Sequence, residues 1–127
     1  MNVTHGEAHE LNTALFAYIP VAEMLLPPEA FAAYRVAAQE ASQIIHRFDT
    51  LPDPQTTIYV GLSLSMVREA IDFQAIALRA ELETPTREYF ASPHEMVAGK
   101  VNLLQTRMGR VTSLSAKVAL LDDNPTT

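Results

Sequence analysis

Residues 92–121 read SPHEMVAGKVNLLQTRMGRVTSLSAKVALL. Val97, Val101, Leu104, Met108, Val111 and Val118 follow the three-and-four rhythm that sets side chains on one face of an α-helix, with Ser115 interrupting the stripe. The stretch also carries its own start signal. Ser92 supplies a capping oxygen, Pro93 brings a preset φ to the first turn, and Glu95 closes the box. A helix of roughly 25 to 29 residues is about 40 Å long at 1.5 Å per residue.

The same punctuation recurs upstream. Thr4-His5-Gly6-Glu7 has the form of a capping box. Pro27-Pro28 followed by Glu29 reads as a break and a restart, and Asp53-Pro54 as a cap with proline at the first helical position. Each start precedes a helical stripe. The first is Ala8, Leu11, Leu15, Tyr18, Ala22 and Leu25; Pro20 inside it predicts a kink or a short second piece. The second is Phe31, Tyr34, Ala38, Ala41, Ile45 and Phe48. The third is Val60, Leu64, Val67, Ile71, Ala75, Leu78 and Leu82. Thr57-Ile58-Tyr59-Val60 has strand-like composition but is read as the first turns of helix three.

Short loops over 49–53 and 83–92 make neighbouring helices antiparallel. Thr84-Pro85-Thr86 is expected to cap an extra turn that carries Tyr89 and Phe90. The expected fold is all-α: one antiparallel bundle of about four helices, the last two long, spanning 1–127 with a frayed tail over 122–127.

Composition bounds function by exclusion. The 127 residues and 14.0 kDa suit one domain, and 48% hydrophobic with 19% charged residues suits a folded one. With no cysteine, disulfides, thiolate metal sites and thiol catalysis are out. The formal charge of −6 opposes phosphate binding, so no nucleic-acid partner is expected. The start of the chain lacks a basic and apolar leader, and no apolar run approaches the ~20 residues of a membrane span. The cytoplasm is therefore the expected location, with no membrane partner.

Charge is unevenly spread. Residues 1–63 hold seven acids and two arginines, a net of −5, whereas residues 64–127 hold eight acids and seven bases, a net of −1. Helix four carries Lys100, Arg107, Arg110 and Lys117 against Glu95. Two readings follow. The acids Glu7, Glu10, Glu23, Glu29 and Glu40 either complement basic helix four within the molecule or form a face that steers a basic partner.

Helix four has a second stripe of mostly small residues: Gly99, Asn102, Thr106, Gly109, Ser113 and Ala116. Each glycine costs roughly 1 kcal/mol against alanine in a helix interior. The stripe predicts close packing on the Ala-rich second helix, or a seam that receives another helix, with Gly99, Thr106, Gly109 and Ser113 at its centre.

No catalytic constellation stands out. His5 and His9 make half a metal site, and the chain contains no Glu-x-x-His of the di-iron kind. Glu69 with Asp72 reads as a solvated face beside Arg68 and Arg79, and Ser63 and Ser65 lack a nucleophile elbow. No metal, cofactor or catalytic residue is assigned.

By elimination the chain reads as a bacterial or phage-type protein-binding module. It would occlude one protein partner, as a toxin immunity protein or enzyme inhibitor does. Glu23, Glu29 and Glu40 would supply encounter, and apolar patches with Tyr18, Tyr34 or Tyr59 the buried contact. The alternatives are an oligomeric adaptor or secretion-type chaperone that pairs through the helix-four seam, and, more weakly, a small enzyme with an interhelical pocket.

Overall fold

Thr4 opens the first helix as its sequence predicts. Its hydroxyl accepts from the Glu7 amide at 3.2 Å, and its own amide donates to the Glu7 carboxylate at 2.8 Å. In the computed structural model, which describes residues 1–51, 57–92 and 94–122, this helix, α1, runs His5–Leu25. It continues through Pro20 as one helix rather than two pieces. Pro27 then caps α2 (Pro28–Phe48), with Pro28 at the first helical position, where a missing N–H costs no intrahelical bond. Glu29 in the first turn, and His46 and Arg47 in the last, complement the helix dipole.

The two long helices are α3 (Leu64–Ala91) and α4 (Glu95–Asp122), 28 residues each against 21 each for α1 and α2. The fold is an all-α helical bundle with one small addition. Residues Asn2–Val3 (β1) pair antiparallel with Ile58–Tyr59 (β2), Asn2 facing Tyr59 and Val3 facing Ile58.

This pairing corrects the expected start of helix three. The β-branched and aromatic residues that precede Gly61 are not its first turns. They are extended because an N-terminal partner strand satisfies their backbone, including Val60 N–H to the Met1 carbonyl at 2.7 Å. The Asp53-Pro54 cap lies outside the described residues, as do Pro93 and the tail beyond Asp122.

The loop expected over 83–92 is also corrected, because α3 continues through Pro85 to Ala91. Pro85 is buried, and packing beside α4 outweighs the local cost of an interior proline. Ser92 therefore ends α3, its amide bonding the Glu88 carbonyl. His94 opens α4 instead: its carbonyl accepts from Ala98 at 2.9 Å, and its Nδ1 accepts from the Met96 amide at 3.2 Å.

The helices form two antiparallel hairpins that share α1 as their common contact. Along α4, Glu7 meets Ser113 and Lys117 while Glu10 meets Arg107; along α3, Glu10 meets Gln74 and Tyr18 meets Phe73. Residue numbers fall on both partners as they rise on α1. Since α3 and α4 are themselves antiparallel, α1 must cross their middle obliquely.

The core follows from that crossing. Leu11, Leu15, Val67, Ile71, Leu78, Val111, Leu114 and Val118 are all buried. Leu114 carries the stripe where the sequence pattern stepped to Ser115, which is exposed. The glycines do not pack within the chain, as the first reading of the stripe expected. A Cβ at Gly99 or Gly109 would meet no atom within 4 Å, and Asn102, Thr106, Ser113 and Ala116 are exposed too. The second stripe is therefore not packed on α2, whose contacts run chiefly to α1.

Two stability outcomes follow for urea unfolding. Leu114→Ala should lose about 2–5 kcal/mol, whereas Ser115→Ala should stay within about 0.5 kcal/mol. Gly99→Ala, in open space on a regular helix, should gain about 0.5–1 kcal/mol.

Candidate functional site

Three side-chain groupings compete for a functional reading. The first joins α1 to the hairpin. Glu7 and Glu10 are each only 3% exposed. Glu7 accepts from Lys117 Nζ at 2.6 Å, from the Ser113 hydroxyl at 2.6 Å and from the Thr4 amide. Glu10 takes a two-pronged bond from Arg107, Nε at 3.1 Å and the second nitrogen at 3.2 Å, and a third from Gln74 Nε2 at 3.1 Å. Arg110 lies over Gly6, where a Cβ would come within 2.8 Å of its Nε.

Two acids of the proposed steering face are thus spent inside the molecule, on the basic helix that the charge asymmetry had suggested. Burial pushes the Glu7 carboxyl up, but the Lys117, Ser113 and Thr4 hydrogen bonds outweigh it and hold the group below its ordinary value. The bond to Glu10 raises Arg107, against the pull of burial. These carboxylates are fully satisfied structural acceptors.

The second grouping joins three helices. Tyr34 of α2 donates to Glu69 of α3, and Tyr18 of α1 approaches the same oxygen at 3.5 Å. Tyr18 stacks tilted against Tyr34 and edge-on to Phe73. Burial, and then Glu69, push both phenols up, so they remain protonated donors. Tyr34 is 3% exposed and so cannot offer a partner the contact proposed for it. Its role is to tie α2 to α3.

The remaining proposed contact residues are exposed but dispersed. Glu23 and Glu29 flank the α1–α2 turn. Glu40 lies further along α2, in a shallow groove with Gly61, whose neighbour Tyr59 is 67% exposed. Gly99, Thr106, Gly109 and Ser113 share the exposed side of α4, with Ser113 turned to Glu7. His5 and His9 bring their Nε2 atoms to 3.0 Å, with His5 stacked on Phe48. Among the described residues no three His, Cys, Asp or Glu side chains converge as a metal site would require. No helix there is long and apolar enough to cross a membrane.

The third grouping is the uncovered part of the α3–α4 hairpin. Because α1 crosses at mid-length, the distal turns have only each other. Beyond Leu78 in α3 only Pro85 is buried, and between Glu95 and Leu103 in α4 no residue is. Phe90 is 79% and Met96 80% exposed. Tyr89 and Phe90 meet edge-to-face, their centroids 6.0 Å apart, and help line a cleft of about 220 Å³ with Thr86, Ala98, Val101 and Gln105. The sequence had placed these rings in a short extra turn. What it hid was that the turn extends α3 past the cover of α1.

No family model, curated protein or solved structure matches the chain. Of these three groupings, the distal arm is the one whose side chains are not committed within the fold.

The first grouping predicts acid sensitivity. Glu7 is held below its unfolded value, so its contribution is complete above about pH 4.3, the ordinary glutamate pKa. That contribution is lost as pH falls through the lower folded value. Glu7→Gln should flatten this limb of a stability–pH curve measured by urea unfolding, while leaving its neutral-to-alkaline side parallel to the unmodified protein.

Proposed function

We propose that the chain is a non-enzymatic protein-binding module that covers one protein partner, in the manner of a toxin immunity protein or enzyme inhibitor. One observation carries this reading: a two-helix arm, stripped of cover by the crossing of α1, presents Tyr89 and Phe90 at an open cleft and leaves Met96 exposed. Aromatic side chains at such a position are the usual anchors of binding energy. An exposed apolar cluster is a cost that an interaction offsets.

The mode of action is steric. The arm would seat its aromatic pair in a pocket of the partner while the body blocks the partner's surface. The exposed acids Glu23, Glu29 and Glu40 belong to the body and would act through their field, raising the encounter rate with a basic partner. Glu7 and Glu10 do not take part, being neutralised within the fold. The work is expected in the cytoplasm, and no cofactor enters it.

The test is affinity capture of the tagged chain from lysate of its source, followed by binding kinetics with the protein recovered. Tyr89→Ala with Phe90→Ala should weaken that complex by about 2 kcal/mol or more, through faster dissociation, with the melting temperature nearly unchanged. Reversal of Glu23, Glu29 and Glu40 to Lys should slow association and flatten its salt dependence. Equal affinity in the double-alanine variant would exclude the arm. Recovery of no stoichiometric partner would exclude the function.

A further inference from the structure

Two histidines on the first turns of α1 stand outside the three groupings. His5 is half-buried and His9 exposed. Helical spacing sets them on one face, and the Thr4–Glu7 capping box fixes the turn from which they start. Their Nε2 atoms lie 3.0 Å apart. The His5 ring stacks on Phe48, at the end of α2, with an interplanar angle of 22°. Phe48 is buried. A core side chain thus holds one imidazole while the helix places the other.

Two ring nitrogens this close share either a proton or an ion. The ring centroids are 4.6 Å apart and the planes are tilted by 46°. Rings that met head-on through these nitrogens would have centroids farther apart. A proton on the line between them would therefore sit well off the axis of at least one ring, where a hydrogen bond is weak. An ion needs no such line, because it stands to one side and takes a lone pair from each ring. The separation also selects the ion. Nitrogens about 2.0–2.1 Å from a metal are about 2.9 Å apart at a right angle and about 3.3 Å apart at a tetrahedral one. Right-angled sites of imidazole and water belong to copper(II) and nickel(II), and copper(II) binds tightest of the divalent series. Glu7 and Glu10, the carboxylates beside the pair, are committed to Lys117 and Arg107, so water completes the coordination.

We propose that His5 and His9 chelate one copper(II) ion through their Nε2 atoms, with water in its remaining positions. The positive end of the α1 dipole opposes a cation here, so one imidazole alone holds it weakly. The bound ion clips together the first two turns of α1, the turns that carry Glu7 and Glu10. The site is independent of the partner reading, whose aromatic pair lies on α3, and either can fail alone.

The experiment is titration of the full, untagged chain with copper(II), followed by calorimetry and, at one equivalent, by electron paramagnetic resonance. The unmodified chain should bind one ion and give a tetragonal spectrum with two nitrogen ligands. His5→Ala and His9→Ala should each weaken binding about tenfold or more, because the helix delivers the second imidazole at high effective concentration. His46→Ala with His94→Ala should leave affinity and spectrum unchanged. Melting curves without metal check that each variant folds. His9 is exposed on a regular helix, where alanine is the most favourable residue. His9→Ala therefore tests the site even if His5→Ala disturbs the contact with Phe48. Affinity indifferent to His9→Ala overturns the proposal, as does a spectrum with a single nitrogen ligand. Affinity that falls instead with His46→Ala and His94→Ala marks an adventitious ion only and overturns it equally. Zinc(II) bound as tightly as copper(II) overturns it too, because the right-angled geometry would then select nothing.

Discussion

The structure depends on the burial of two carboxylates. Glu7 and Glu10 sit one turn apart on α1, and each is closed from outside that helix, by Lys117 and Ser113 in one case and by Arg107 and Gln74 in the other. Pairs of this kind add little net stability over a well-packed apolar contact, because desolvation cancels much of the attraction. What they supply is position. A one-turn slip of α1 would set one carboxylate against the other's partners and leave its neighbour buried and unpaired, a cost of several kcal/mol. The oblique crossing, the cover over mid-hairpin and the bare arm beyond it follow from where those two side chains close.

Position matters because the apolar core is permissive. Alanine supplies much of it: Ala8, Ala14, Ala22, Ala37, Ala38, Ala41 and Ala70 are all buried. Small side chains make smooth helix faces that pack in several registers, and they leave few knobs to define one. The polar ties carry the register instead, and the Tyr34–Glu69 bond does for α2 what the carboxylates do for α1. Their members lie on different helices, joined through a crossing that periodicity does not describe.

Helix number, the Thr4 box and the Pro27-Pro28 break were legible because each is written within a few residues. Helix boundaries were legible only where local chemistry was not overruled. Ile58 and Tyr59 became a strand because Asn2 and Val3, far away in sequence, supply its ladder. Pro85 stayed helical because α4 lies beside it. Leu114 was missed since a strict four-step from Val111 lands on Ser115, and only packing chooses between steps of three and four. Among site residues, the exposed or buried state of Tyr34 and Tyr59 was undetermined locally. Both are aromatic residues on segments with apolar neighbours, and the bundle buries one at 3% and leaves the other at 67% exposure.

The charge asymmetry was legible as a pattern and ambiguous as a cause. The structure accounts for part of it within the molecule, by helix position. Acids on the first two turns of α1 are paired with Arg107 and Lys117, while those at the α1–α2 turn and along α2 face solvent. Two of the four bases of α4 are therefore paired within the molecule. Only Lys100 stands on the arm, away from α1. The body is acidic, whereas the arm sets its aromatic pair among exposed charges of both signs, Glu88, Glu95 and Lys100. Charges set back on the body can guide approach without being buried by it.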